Sequence, residues 1–148
     1  MRYNNIFYLS LCLALFFIFK FSSKYFFLIK VQGRVELLAA EISKRDFTDF
    51  TSRPLKKSLV LAVKGKVKSI ERDISIPIEK LPKKQRTTYT NSQGKFNFLL
   101  KPGVYTFFIV QGDNAYLNSF DGSGYYNFHK VSPDLGDILI TVTSESYF

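Results

Sequence analysis

Thr90-Asn91-Ser92-Gln93-Gly94-Lys95-Phe96-Asn97-Phe98-Leu99-Leu100-Lys101-Pro102-Gly103-Val104-Tyr105-Thr106 is the stretch on which the reading of this chain turns. Phe96, Phe98 and Leu100 fall on one side of a period of two, and Lys95 and Asn97 fall on the other. That alternation belongs to a strand with one buried face. Ahead of it, Thr90 to Gly94 reads as a turn, with a glycine where positive φ is needed, and so closes a tight hairpin within Thr87 to Val110. Lys101-Pro102-Gly103 turns the chain again into Val104 to Val110, where Tyr105, Phe107 and Ile109 continue the apolar face.

Strand-like periodicity extends outward in both directions. Leu59 to Val67 carries Leu59, Leu61, Val63 and Val67 on one side. Ile70 to Ile78 sets Ile74, Ile76 and Ile78 against Ser75 and Pro77, and a proline, having no N–H to donate, confines that run to a sheet edge. Tyr125 to Val131 reads as a further strand, and Ile138, Ile140 and Val142 as a last one whose partners would be the preceding hairpins. Arg34 to Lys44 supports two readings, because Val35, Leu38, Ala39 and Ile42 have helical spacing while Val31, Gly33, Val35 and Leu37 alternate. Asp46 to Pro54 has the composition of a loop, Leu81 to Arg86 is a basic connector, and Asp121 to Gly124 and Ser132 to Asp137 are turns. The expected fold is all-β: a single Ig-like or prealbumin-like β-sandwich of about seven strands over residues 30–148, behind an N-terminal hydrophobic helix.

Residues 1–29 read as a signal peptide or a signal-anchor transmembrane segment. Arg2 precedes an uncharged run, Ile6 to Phe19, with the length of a signal h-region. Apolar residues resume at Phe21 and Tyr25 to Ile29, so Ile6 to Ile29 reaches across a bilayer if Lys20 and Lys24 snorkel. Ser22 and Ser23 offer only a weak cleavage site. The expected location is membrane-anchored and extracytoplasmic through this single segment; the alternative is a secreted or periplasmic domain after cleavage. Cys12, the only cysteine, lies inside the apolar run, so no intramolecular disulfide braces the domain. Leu11 occupies the place where a lipoprotein signal requires a small residue.

Hydrophobic residues make up 46% of the 148 and aromatics 17%, enough apolar surface for one packed core. The net charge of +9 favours anionic partners such as lipid, acidic polysaccharide or nucleic acid. The lysines, however, are scattered as Lys64, Lys66, Lys68, Lys80, Lys83, Lys84, Lys95 and Lys101, a pattern of solvated strand faces and turns, and nucleic acid is not expected.

Catalytic groups are scarce. His129 is the only histidine, which excludes a zinc site built on two of them. No Gly-x-Ser-x-Gly elbow is present. The chain therefore reads as a non-enzyme without cofactor or metal. Asp113, Asn114, Asn118, Asp121 and Asp137 offer oxygen ligands of the kind calcium takes, but their spacing matches no calcium loop and the same residues stabilise turns. The candidate ligand-binding residues are Tyr116, Phe120, Asp121, Tyr125 and Tyr126, with Phe128 nearby. They gather around the Asp121 to Gly124 loop, where an aromatic platform would stack on sugar rings or receive a partner protein.

The run from Thr90 to Thr106 resembles the signature of the carboxypeptidase regulatory-like domain, a prealbumin-like (transthyretin-like) β-sandwich. The matching residues are Thr90, Asn91, Gly94, Phe96, Phe98, Pro102, Gly103 and Tyr105. Gly33-Arg34-Val35 and Pro54-Leu55 to Val60 would fill the places of the family's opening strands, with Ser58 where the family has alanine. The resemblance implies an accessory module of an exported or surface protein, one that binds an envelope protein or glycan or serves assembly. The transthyretin-like hydrolases of similar fold rely on several histidines and on a C-terminal motif that Ser144 to Phe148 lacks.

Overall fold

A computed structural model describes residues 28–41 and 49–143. The expected N-terminal helix lies outside the described residues. Among those described, no helix is long and apolar enough to cross a membrane. The described chain runs through β1 (Ile29–Glu41), β2 (Asp49–Pro54), β3 (Leu59–Lys64), β4 (Ser75–Pro77), a 3-10 turn (Ile78–Lys80), β5 (Gln85–Tyr89), β6 (Lys95–Leu100), β7 (Gly103–Gln111), β8 (Asn114–Tyr116), β9 (His129–Val131) and β10 (Ile138–Thr143).

Two sheets result. In the first, β1 is the organiser: β10 pairs with one of its edges in parallel from Gly33 to Leu38. On the other edge β6 pairs antiparallel with Ile29 to Arg34, and β2 takes over from Glu36 to Glu41. The second sheet runs β4-β8-β7-β3-β5, with β9 sharing the β8 edge of β7. The inward side is fixed by aromatic contacts between the sheets. The Phe107 ring lies 6.4 Å from Phe96 and 5.9 Å from Phe98. Phe96, Phe98 and Leu100 thus meet the second sheet together with Val31, Val35, Leu37, Ile138, Ile140 and Val142, all buried. Gly33 lacks a side chain for a local reason: a Cβ there would stand 2.5 Å from both the Phe96 ring and the Ile138 carbonyl.

The second sheet is buried on both faces at its centre. Leu61 pairs with Phe108 and Val63 with Thr106, so these residues point away from the sandwich interior. The connections after β3 and β8 cover them. Tyr126 packs edge-on against Phe108 at 5.0 Å and stacks on Phe120 at 5.4 Å. Its hydroxyl donates to the Asp73 carbonyl at 2.7 Å, and its N–H donates to Val67. Burial, reinforced by the Asp73 carboxylate, pushes the Tyr126 phenol up to about 12, so the hydroxyl keeps its proton through the ordinary pH range. This second layer explains why Val60 to Val63 are all buried where a one-sided strand was expected.

Several expectations need correction. Thr90 to Gly94 does not close a hairpin, because β5 pairs with β3 in the second sheet and β6 with β1 in the first. The turn is a corner that carries the chain between sheets. Within it, Asn91 Oδ1 accepts the N–H groups of Gln93 and Lys95, and the Asn91 N–H donates to the Lys95 carbonyl. The last strand joins none of the preceding hairpins but lies parallel to β1. Asp49 to Pro54, read as loop, is β2, and of the two readings open for Arg34 to Lys44 the strand holds as far as Glu41. Tyr125 to Phe128 is irregular apart from isolated bridges, and β9 begins only at His129. The described residues form ten strands where about seven were expected: β2 had been read as loop, and β8, with three residues, is too short to show periodicity.

His129 lies against the inward face. It pairs with Tyr105, and its ring sits 5.9 Å from Phe107. Burial pushes its pKa below the ordinary 6.5. The unfolded chain therefore takes up this proton more readily than the folded one. The stability linked to His129 is present above about pH 6.5 and falls away as pH drops through the lowered value. Thermal midpoints measured from pH 7.5 down to 5 are expected to fall more steeply for the native chain than for His129→Gln; equal slopes would remove His129 as the cause.

Candidate functional site

The register of β1 against its neighbours assembles a solvent-facing site on the first sheet. Val31, Gly33 and Val35 point inward, so Gln32 and Arg34 point out, and the same alternation exposes Lys95, Asn97 and Leu99 on β6. Gln32 stands directly opposite Asn97, and Arg34 opposite Lys95. On the other edge of β1, Arg34 faces Leu139, which is 50% exposed. A hollow of about 510 Å³ lies over these residues, bordered by Asn91 and Asp137.

Its charges are mixed: Arg34 and Lys95 stand against Glu36 beside Arg34 and Asp137 at the border of the hollow. Arg34 Nε meets Glu36 Oε1 at 3.0 Å, and the other Glu36 oxygen accepts the Ser52 hydroxyl at 2.7 Å. Glu36 therefore neutralises Arg34 in part. Lys95 directly across the strand pair adds a second cation, and like charges in opposed positions repel. An anionic group seated between them would relieve that repulsion. Beside the cations, the Gln32 and Asn97 amides supply donors and acceptors, and exposed Leu139 supplies an apolar wall. Such a surface suits a ligand with hydroxyls, an anionic group and an apolar edge.

The residues expected to bind ligand are placed differently. Tyr116 and Tyr126 are 1% and 0% exposed, so they belong to the core and present no platform. The Tyr116 hydroxyl has no hydrogen-bond partner among the described residues. Phe120 is partly buried against the same cluster. Asp121 spends its carboxylate on the turn: Oδ1 accepts the N–H groups of Ser123 at 2.8 Å and Tyr125 at 3.1 Å. The Asp121 N–H donates to the Tyr125 carbonyl, which repeats the geometry of the Asn91 turn. Tyr125 and Phe128, like Phe120 and Asp121, stay partly open, and both rings lie under Lys66, whose Nζ is 4.0 Å from the Phe128 centroid and 5.9 Å from that of Tyr125. Of the oxygen ligands considered for calcium, Asp113, Asp121 and Asp137 fall on three separate connections, and no group of three His, Cys, Asp or Glu comes together among the described residues.

The residues of the family-like signature are structural. Thr90 is buried; its hydroxyl donates to the Leu55 carbonyl at 2.7 Å and accepts the Ser58 N–H at 2.9 Å. It thereby ties the β2–β3 connection to the corner before β6. Gly94 adopts φ 72° where β6 hands over to β2 along β1: the Val35 N–H donates to the Gly94 carbonyl, and the Leu55 N–H donates to Val35. Phe96, Phe98 and Tyr105 are core, and Pro102 with Gly103 at φ 149° turns the chain from the first sheet to the second. No family model, curated protein or solved structure matches the chain.

Proposed function

We propose that this chain is a non-catalytic β-sandwich module, exported or held at a membrane by residues 1–29, that binds an acidic glycan of the cell envelope on the outer face of the first sheet. The observation that carries the reading is the opposition of Arg34 to Lys95 and of Gln32 to Asn97 under one hollow. The cations would pair with a sugar carboxylate or phosphate, and the amides would bond to hydroxyls. Leu139 would meet the apolar edge of a ring. The resemblance of Thr90 to Thr106 to carboxypeptidase regulatory-like domains supports a prealbumin-like sandwich and an accessory role, since members of that family serve chiefly for support and binding. A hydrolase reading would need an acid–base group, and His129, the only histidine, packs against Phe107 on the interior face.

The test is calorimetric titration of the full chain with uronic-acid-containing oligosaccharides and their neutral counterparts. Binding is expected for the acidic series only. Arg34→Gln and Lys95→Gln should each weaken it about tenfold, the scale of a lost charge-assisted hydrogen bond, without altering the thermal midpoint. Equal binding of neutral sugars, or variants indistinguishable from the native chain, would sink the assignment. A protein partner on the same face would show instead as capture that acidic oligosaccharides fail to displace.

A further inference from the structure

A second cationic surface lies at the end of the sandwich where the described chain begins. Four elements meet there: β1 starts, β3 ends, β5 starts and β6 ends. Lys64 pairs with Tyr105, and its N–H donates to the Lys84 carbonyl at 3.2 Å. Lys101 follows directly on β6. A groove of about 410 Å³ results, lined by Lys64, Lys84, Arg86 and Lys101 together with Leu28. An adjoining hollow of about 480 Å³ shares Arg86 and Leu99 and adds Lys30. All five cationic side chains are exposed. No carboxylate lines either cavity, although the β9–β10 connection that carries Asp134 and Asp137 crosses the same end of the sandwich, from Val131 opposite Gly103 to Ile138 opposite Gly33.

The position of this surface says what it would meet. Leu28 and Ile29 end the apolar stretch that begins at Tyr25, so a chain anchored by residues 1–29 enters the membrane beside this groove. Any of its lysines that comes within a Debye length of the lipid headgroups, about 8 Å at physiological salt, would feel their charge. Each basic residue at an anionic bilayer surface strengthens association about fivefold. Leu99, 63% exposed, stands on the same edge and can rest against the interface. We infer that this end of the sandwich docks on the phosphate headgroups of anionic lipids in the membrane that holds the chain, and thereby fixes the domain's orientation on that membrane. The inference rests on the membrane-anchored reading of the N-terminal segment.

The experiment is lysine acetylation footprinting by mass spectrometry. The full chain would be reconstituted in nanodiscs of phosphatidylcholine alone or mixed with phosphatidylglycerol. Modification of Lys64, Lys84 and Lys101 is expected to slow about fivefold or more in the anionic discs, and to recover at high salt. Lys57, exposed at the opposite end, should be unaffected. Equal rates in both discs would overturn the inference, and so would slowing of Lys57 to the same degree. Acidic oligosaccharide protecting the three lysines in phosphatidylcholine discs would reassign the groove to a glycan. Alkaline carbonate extraction of expressing cells checks the anchor separately. A chain that stays in the membrane pellet at full-length mass supports the anchored reading; release from the pellet ends that reading and, with it, the headgroup assignment, whatever the footprint.

Discussion

Phe107→Ala is expected to destabilise the domain by about 3–5 kcal/mol, the range for emptying a buried aromatic site. Phe107 is 1% exposed at the centre of β7, where its ring reaches Phe96, Phe98, Tyr105 and His129 at 5.9 to 6.4 Å. It is one of the residues through which the two sheets touch. Ala62 is its partner on β3, too small a side chain to fill the space it leaves. Denaturant unfolding at pH 7.5 would measure the loss, with Phe107→Leu as a control that keeps most of the volume and costs about half as much or less. The same cavity would admit water to His129. The variant should therefore also lose part of the acid sensitivity ascribed to that histidine. A loss under roughly 1 kcal/mol would mean that the sheets do not pack through this ring.

Gly94→Ala is expected to cost about 3 kcal/mol, from two separate sources. Gly94 has φ 72°, a left-handed conformation that costs an L-residue roughly 1–2 kcal/mol. A Cβ would also stand 2.7 Å from the Val35 carbonyl oxygen and 3.0 Å from Pro54 Cβ. Because that carbonyl is part of the hand-over from β6 to β2, relief would pull on the hydrogen bond Leu55 donates to Val35. Gly124 gives the comparison: at φ 87° its Cβ would meet nothing within 4 Å. Gly124→Ala should therefore show the conformational cost alone. Chemical denaturation of the two variants separates crowding from φ, and equal losses would show that the contact with β1 is immaterial.

The corner and the core strands were legible in the sequence. Asn91 and Gly94 have the turn chemistry that the corner uses, and the alternation over Lys95 to Leu100 reproduces the observed burial residue by residue. What followed the corner was not legible. A hairpin and a crossover between sheets use the same local residues, and they differ only in which distant strand completes each hydrogen-bond ladder. Asp121 was misread for a related reason: Asp suits a ligand and a turn equally well, and two backbone N–H groups decide between them. Tyr126 was misplaced because its burial depends on connections packed from outside onto β7, and Tyr116 because β8 sets it opposite Ile109 on the inward face. A one-dimensional pattern holds no record of a second layer.

The proposed site was harder still to read. Gln32, Arg34, Lys95 and Asn97 are ordinary outward positions of two strands about sixty residues apart, and only the antiparallel register of β1 with β6 sets them in opposed pairs. The sequence alone determined the core strands β3, β6, β7 and β10 and most of the turns between them, because periodicity and turn chemistry act over a few neighbouring residues. Tertiary structure alone decided which strands pair, that the first and last strands lie parallel, and which polar side chains share a surface. Those outcomes depend on hydrogen bonds and packing between residues far apart in the chain, whose relative register no local propensity specifies.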